Sequence, residues 1–432
     1  MSSRLSRRVF KLALALVRAS GLLPKSVPDG RGDERRLAAD PPAAEVIVYF
    51  ADTVVGLYQL RPWYQALRAL HRVHRLVVIG TDSRAAKAIR RESGLPAHTI
   101  SHYSSVDLIL AKSPVRLVLY VNHNAANFSM LAFGQLVHVS IMHGDSDKVV
   151  SISGQTKAYD FTFVPGQAAI DRLSANLALF DAPARCVIIG RPQVDAARAA
   201  HRPATARPAD RQPAGAAGGG RWTVLYAPTW EGGTDSAAYS SLAAWGREIA
   251  AGVVADRRFR LIYRPHPLTG TRLADFGAAD AAVRQLVAEA AKAERTAGHR
   301  TAPGGDAADL LGQADLLISD VSSLAIDFLV TGRPLTVTRP PSPHARVAPT
   351  RLLETVPRLG AAEVPRVGQF LAGLIEDDAG RRRERAALTE YYLGDTRPGA
   401  AVKAFIEACG RMIALAESNQ AALLRAGGEG AA

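Results

Sequence analysis

The chain has 432 residues, 48% of them hydrophobic, which excludes a mostly disordered protein and is too long for one small core. Lys and Arg outnumber Asp and Glu by 53 to 40, giving a net charge of +13 that favours a polyanionic partner such as an acidic membrane or a phosphate-rich substrate, although a plainly Arg-rich composition gives the same total. Cys186 and Cys409 alone make neither a disulfide framework nor a zinc spacing, and no P-loop, basic-aromatic motif or zinc finger occurs, so a reducing cytoplasm is the expected setting, with no nucleic acid, metal or cofactor.

Residues 1–25 set Arg4, Arg7, Arg8, Lys11 and Arg18 on one arc of a helix, with Leu5, Val9, Leu12, Ala13, Leu16 and Val17 opposite. A basic amphipathic helix of this kind can lie in the interface of an anionic membrane or dock on the protein itself. Ser6–Lys11 also looks like a twin-arginine export signal, but Arg18 interrupts the apolar run and no clear small-residue cleavage site follows. The run Leu12–Val17 is too short to span a bilayer. Residues 26–42, rich in Pro, Gly, Asp and Arg, read as a linker, so 1–42 form an N-terminal segment.

From Glu45 short apolar runs alternate with helical stretches. Val46–Phe50, Leu76–Gly80, Leu117–Val121 and Val137–Met142 predict buried strands, and Trp63–Arg72 and Ser83–Arg91 predict helices between them. This alternation implies a parallel, doubly wound sheet over 43–200. The Pro-, Ala- and Gly-rich stretch 201–220 predicts a linker or surface loop. A second series then predicts strands at Thr223–Ala227, Phe259–Tyr263, Leu316–Ser319 and Leu335–Thr338, with helices at Ala237–Ala251, Ala279–Thr296 and Ser323–Thr331. The expectation is therefore two Rossmann-like α/β domains facing a cleft, the second over 221–400, closed by a helix at Ala401–Arg425 within a tail of 401–432.

Five strings sit at predicted strand ends, where ligands of such sheets bind. They are His143-Gly144, Gly190-Arg191-Pro192, Tyr226-Ala227-Pro228-Thr229-Trp230, Arg264-Pro265-His266-Pro267 and Ser319-Asp320-Val321-Ser322-Ser323. Ser322 and Ser323 open a helix, so free N–H groups and two hydroxyls can seat phosphate oxygens there; Ser322 can equally serve as an N-cap, with Asp320 just outside the helix. Two prolines stop the strand at Arg264–Pro267, where Arg264 supplies a phosphate-matched fork and His266 a donor; a turn with a solvent-facing histidine is the alternative. Asp145-Ser146-Asp147 mimics a metal-binding Asp-x-Asp but has no His or further carboxylate beside it, and reads as loop polarity.

The order and context of the five strings resemble the CDP-glycerol glycerophosphotransferase family of teichoic-acid polymerases and primases, over about residues 137–400. Where members read His-Gly-Thr-Pro-Leu-Lys, Gly-Tyr-Pro-Arg and Ser/Thr-Asp-Tyr-Ser-Ser, this chain has His143-Gly144-Asp145-Ser146-Asp147-Lys148, Gly190-Arg191-Pro192-Gln193 and Val321 before the paired serines. The resemblance implies a GT-B fold, with an acceptor-side first domain and a second domain holding the nucleotide donor. It implies transfer of glycerol phosphate from CDP-glycerol or a related donor to a lipid-linked glycan or polyol-phosphate acceptor, with loss of CMP. His143 and His266 would be catalytic, His143 as base toward the acceptor hydroxyl, while Arg264, Asp320, Ser322, Ser323 and Asp327 would bind substrate. For His143 the alternative is a satisfied strand-end histidine, and for Asp327 a solvated helix carboxylate. The implied place is the cytoplasm, peripheral on the inner face of the cell membrane. Two other readings stay open: a nucleotide-sugar glycosyltransferase for capsule or surface glycan, and a non-catalytic envelope-assembly protein of the same fold.

Overall fold

A computed structural model describes Leu37 and residues 39–100, 104–148, 152–195, 220–304 and 307–429. The amphipathic helix expected within 1–25 and the 201–220 stretch up to residue 219 lie outside the described residues. Among the described residues, no helix is long and apolar enough to cross a membrane.

In chain order the first half contains β1 (Val46–Phe50), α1 (Tyr64–His71), β2 (Leu76–Gly80), α2 (Ser83–Ser93), β3 (Ala97–Thr99), α3 (Ser104–Lys112) and β4 (Leu117–Tyr120). It continues with α4 (Asn127–Met130), β5 (Val137–Ser140), β6 (Phe161–Val164), α5 (Gln167–Asn176), α6 (Ala182–Arg185) and β7 (Cys186–Ile188). The sheet order is β3-β2-β1-β4-β5-β6-β7. β1 is parallel to both β2 and β4, Val46 standing beside Leu76 and Leu117. Every residue of β1, β2 and β4 is buried, as strands covered on both faces require. Ile47, Tyr49, Val77, Ile79, Val118 and Tyr120 share a core with Val106 and Ile109 of α3. α2 starts where the Asp82 carboxylate accepts from the backbone N–H groups of Arg84 and Ala85, and it stops at Gly94 in the left-handed region. The strand order turns back between β1 and β4, a switch point whose carboxyl ends open a ligand crevice in sheets of this kind.

The second half contains β8 (Trp222–Ala227), α7 (Leu242–Ala255), β9 (Phe259–Tyr263), α8 (Ala274–Ala293), β10 (Arg300–Thr301), α9 (Ala307–Gln313), β11 (Leu316–Ser319) and α10 (Ser323–Phe328). After these come β12 (Leu335–Thr338), α11 (Arg351–Thr355), β13 (Arg358–Leu359), α12 (Val367–Glu376), α13 (Asp378–Leu393) and α14 (Ala400–Glu429). This sheet runs β10-β9-β8-β11-β12-β13 with parallel pairings. Leu225, Ile262, Leu317 and Val337 face one core, whereas Val224, Tyr226, Leu261, Tyr263, Leu316 and Ile318 face the other. The sheet is thus apolar on both sides, and helices cover both.

Compactness groups the described residues into two units. One takes the chain up to His143 with Gly154–Phe163 and the residues from Phe405 on; the other takes Gly144–Ser153 and Val164–Ala404. The strand at Val137 ends at Ser140 rather than Met142, because Met142 turns out of the extended region with φ +45°. α7 begins at Leu242 rather than Ala237, the Ser241 N–H being bound by a buried carboxylate and Ser240 Oγ donating to the Thr229 carbonyl.

Candidate active site

His143 follows a left-handed methionine, a conformation that costs an unbranched L-residue roughly 1–2 kcal/mol. Buried Trp63 holds that turn by donating from its indole N–H to the Met142 carbonyl at 2.8 Å, and it packs against Phe405 of α14 at 5.3 Å between ring centroids. The His143 ring meets the edge of Tyr58 at 5.9 Å and 84°. The strand end, the indole and the tyrosine together fix where this imidazole stands.

In the second unit the loop after His143 is pinned by ion pairs. Arg172 of α5 binds Asp145 and, at 3.2 Å, Asp147, while the Tyr392 hydroxyl donates to the other Asp147 oxygen at 2.8 Å. Burial pulls the Arg172 guanidinium down, but the two carboxylates outweigh it and leave it above the usual range. Burial raises Asp147. Asp145 and Asp147 are therefore committed to a guanidinium and a phenol. Among the described residues, no group of three or more His, Cys, Asp or Glu could hold a metal ion.

Three of the five strings converge beside this clamp. Arg191 forks onto Asp327 of α10, Nε to Oδ1 at 2.7 Å and Nη2 to Oδ2 at 3.2 Å. Bidentate pairing of this kind fixes the plane of the guanidinium. A Cβ on Gly144 would lie 3.1 Å from Ser323 Oγ and 3.9 Å from an Arg191 Nη. The glycine lets this backbone approach the start of α10, where any side chain would press on the serine. Ser322 caps α10, its hydroxyl accepting from the Ala325 N–H at 3.3 Å and lying 3.0 Å from Ser319 Oγ.

Asp320 stands differently from the substrate-contacting role expected of it. It is wholly buried, and its oxygens accept from the N–H groups of Thr229 (2.7 Å) and Ser241 (3.2 Å) and from the Thr338 hydroxyl (2.5 Å). Burial raises this carboxyl, with those donors opposing. It ties the ends of β8 and β12 to the start of α7, and so positions its neighbours. Lys148, closing the His-Gly string, donates to Thr229 Oγ1 at 2.8 Å and lies over the Tyr239 ring; burial brings it down to about 8, with Asp320 opposing.

At the end of β9 the Arg264 N–H donates to the Tyr226 carbonyl at 2.9 Å, which joins the third and fourth strings. The Leu268 N–H donates to His266 Nδ1 at 3.1 Å, so the neutral ring carries its proton on Nε2 and donates from there. The same ring stacks over Trp230 at 6.4 Å between centroids, with planes 24° apart. Glu231, next in the third string, accepts from the N–H groups of Gly270, Arg272 and Leu273. Burial pushes this carboxyl up, but the backbone donors outweigh it and hold it below the usual range.

Of the expected site residues, Ser322 and Ser323 thus open α10 with Asp327 one turn inside it, and Arg264 and His266 share the loop after β9. His143 stands in the first unit, beside Tyr58. Lys148 and Arg191 lie inside the motif strings and Glu231 directly follows one, but the sequence assigns none of them, nor Arg172, a partner. Nothing in the sequence pairs Arg172 with a loop 25 residues earlier.

The chain is similar in fold to the wall teichoic acid polymerase TagF, with 13% identity, 96% of this chain and 98% of that one covered, and a TM-score of 0.55. A TagF variant soaked with CDPG gives 13% identity, coverage of 97% and 99%, and a TM-score of 0.53. The S. aureus MnaA–UDP co-structure gives 12% identity, coverage of 83% and 94%, and a TM-score of 0.50. These likenesses show the fold, two parallel α/β sheets of the GT-B type. No curated protein sequence matches the chain. The family pattern described as CDP-Glycerol:Poly(glycerophosphate) glycerophosphotransferase matches residues 98–340, more than half of the chain and all five strings, and the chain belongs to that family.

Proposed function

We propose that the protein transfers glycerol phosphate from CDP-glycerol to a polyol-phosphate acceptor, lipid-linked at the inner face of the cell membrane, and releases CMP. The convergence of Gly144 and Arg191 on Ser323 and Asp327 of α10 carries this reading. It brings the Ser323 hydroxyl, a donor to pyrophosphate oxygens, to a place of close backbone approach beside the Arg191 guanidinium, whose plane Asp327 fixes. The acceptor oxygen forms a bond to the glycerol-bearing phosphorus as the bond from that phosphorus to the CMP oxygen breaks. His143 takes the acceptor proton. Arg264, His266 through Nε2–H, and Ser323 steady the charge that gathers on the phosphate oxygens, and CMP departs with it. Asp320, Asp327 and Arg172 position these groups without touching the reacting atoms.

The test is nucleotide release with a glycerol phosphate oligomer as acceptor, from CDP-glycerol and from UDP-sugars in parallel. CMP release that depends on the oligomer is expected. Release from a UDP-sugar alone would make the protein a glycosyltransferase, and no release despite nucleotide binding would make it a binding protein.

A further inference from the structure

The carboxyl end of β4, at the switch point of the first sheet, carries an amide network that the transfer chemistry does not use. Asn122 Nδ2 donates to Gln59 Oε1 at 2.5 Å. Asn127 Nδ2 donates to the Asn122 carbonyl at 2.8 Å and to the Tyr159 hydroxyl at 3.0 Å. Gln155 Nε2 donates to the same hydroxyl at 3.0 Å. The His123 ring stacks beside Tyr159, with centroids 6.3 Å apart and planes at 23°. Asn122 is 94% buried and Asn127 entirely so, yet Oδ1 of each, and Nδ1 of His123, find no hydrogen-bond partner among the described residues. An unpaired buried polar atom costs about 1–3 kcal/mol, so three gathered at one strand end need a ligand or a solvent role to repay them.

We infer that this network is a polyol-binding subsite, which seats the neutral hydroxyls of the acceptor on Asn122 Oδ1 and His123 Nδ1, while Gln59, spent between Asn122 and the Tyr58 hydroxyl, holds Asn122 in place. The chemistry of the donor set selects the ligand class. Carboxamides, a phenol and an imidazole pair with hydroxyls, which both donate and accept, and they offer no cation to a phosphate. Burial holds His123 down at about 4, so it is neutral at physiological pH. The network is also joined to the proposed base: Gln59 holds Asn122, while its neighbour Tyr58 touches the His143 ring. A hydroxyl seated here is delivered toward the group that takes its proton. The inference rests on the glycerophosphotransferase reading for the identity of the acceptor, whereas the chemistry of the subsite stands on the network itself.

His123→Phe keeps the ring stack and removes the unpaired nitrogen, and Gln59→Met removes the amide that holds Asn122. The probe is a soluble glycerol phosphate oligomer, followed by saturation-transfer NMR on its polyol protons and by acceptor KM against donor affinity. Expected for His123→Phe are an unchanged or raised Tm, unchanged CDP-glycerol affinity, and an acceptor KM raised about 3- to 10-fold, the worth of one neutral hydrogen bond. The polyol NMR signal weakens in parallel, and Gln59→Met moves KM and signal the same way. A raised Tm with KM and NMR signal unchanged in both variants overturns the subsite, as does wild-type protein that gives no polyol signal. Wild-type protein that binds the oligomer but does not turn over CDP-glycerol refutes the reaction alone, and the NMR comparison of wild type with His123→Phe still decides the subsite.

Discussion

At the scale of single residues, two histidines in the proposed reaction stand in unlike settings and should fail differently. His266 has its Nδ1 taken by the Leu268 N–H and its face against Trp230, which suits a fixed donor to the nucleotide phosphates. His143 ends a turn braced by Trp63 and touches Tyr58, and its part is toward the acceptor. His266→Ala should weaken CDP-glycerol binding and slow turnover together. His143→Ala should cost about 10²- to 10⁴-fold in turnover with donor affinity kept, and its pH profile should lose the limb that reports deprotonation of the base. Donor titration and turnover measured on each folded variant make the comparison. Near-normal turnover by His143→Ala removes the base and leaves a structural histidine. The sequence puts all of these groups at strand ends, but a local pattern does not say which way a carboxylate there points. Asp320 is the case in hand: its string reads as phosphate-binding, whereas its oxygens are spent on Thr229, Ser241 and Thr338 inside the sheet.

At the scale of elements, one buried carboxylate organises the loop after β9. Glu231 gathers the N–H groups of Gly270, Arg272 and Leu273, while Arg272 reaches back to the Gly232 carbonyl at 2.9 Å. Its folded pKa lies below the unfolded value, so its stabilisation is fully present above the unfolded pKa and is lost as pH falls through the folded one. Glu231→Gln should therefore lower Tm at neutral pH, the loss corresponding to about 1–3 kcal/mol, and the gap from wild type should narrow below about pH 4.5. Donor KM should rise, since His266 rides on the same loop. A Tm gap constant from pH 7 to pH 3.5 would mean the charge is irrelevant. This element also marks what could be read in advance. Val46–Phe50 and Phe259–Tyr263 were legible to the residue, because an unbroken run rich in β-branched and aromatic side chains between turn signals leaves little choice. The two-residue strands Arg300–Thr301 and Arg358–Leu359 carry no period to read. The clamp of Arg172 on Asp145 and Asp147 joins distant parts of the chain, and no local pattern announces it.

At the scale of the whole molecule, the proposed attachment to a membrane surface rests on how charge is distributed along the chain. Residues 1–25 hold Arg4, Arg7, Arg8, Lys11, Arg18 and Lys25 and no acidic residue, so nearly half of the net +13 sits in the first seventeenth of the chain. The apolar run Leu12–Val17 is too short to span a bilayer, so attachment through this segment would be interfacial. A lipid-linked acceptor is confined to the membrane, and an enzyme held there meets it in two dimensions rather than three. Each basic side chain near an anionic surface contributes about 1 kcal/mol, falling off within a Debye length of about 10 Å at 0.1 M salt. Deleting residues 1–25 should therefore leave a folded protein whose turnover of CDP-glycerol with a soluble oligomer is unchanged. Its partition onto vesicles containing phosphatidylglycerol should weaken about tenfold or more at low salt, and the difference from full-length protein should shrink as salt rises. Vesicle sedimentation with both proteins across a salt series reads this directly, with neutral phosphatidylcholine vesicles as the control. Equal binding by the two proteins at every salt would assign the basic segment to the protein's own surface and leave the membrane contact elsewhere.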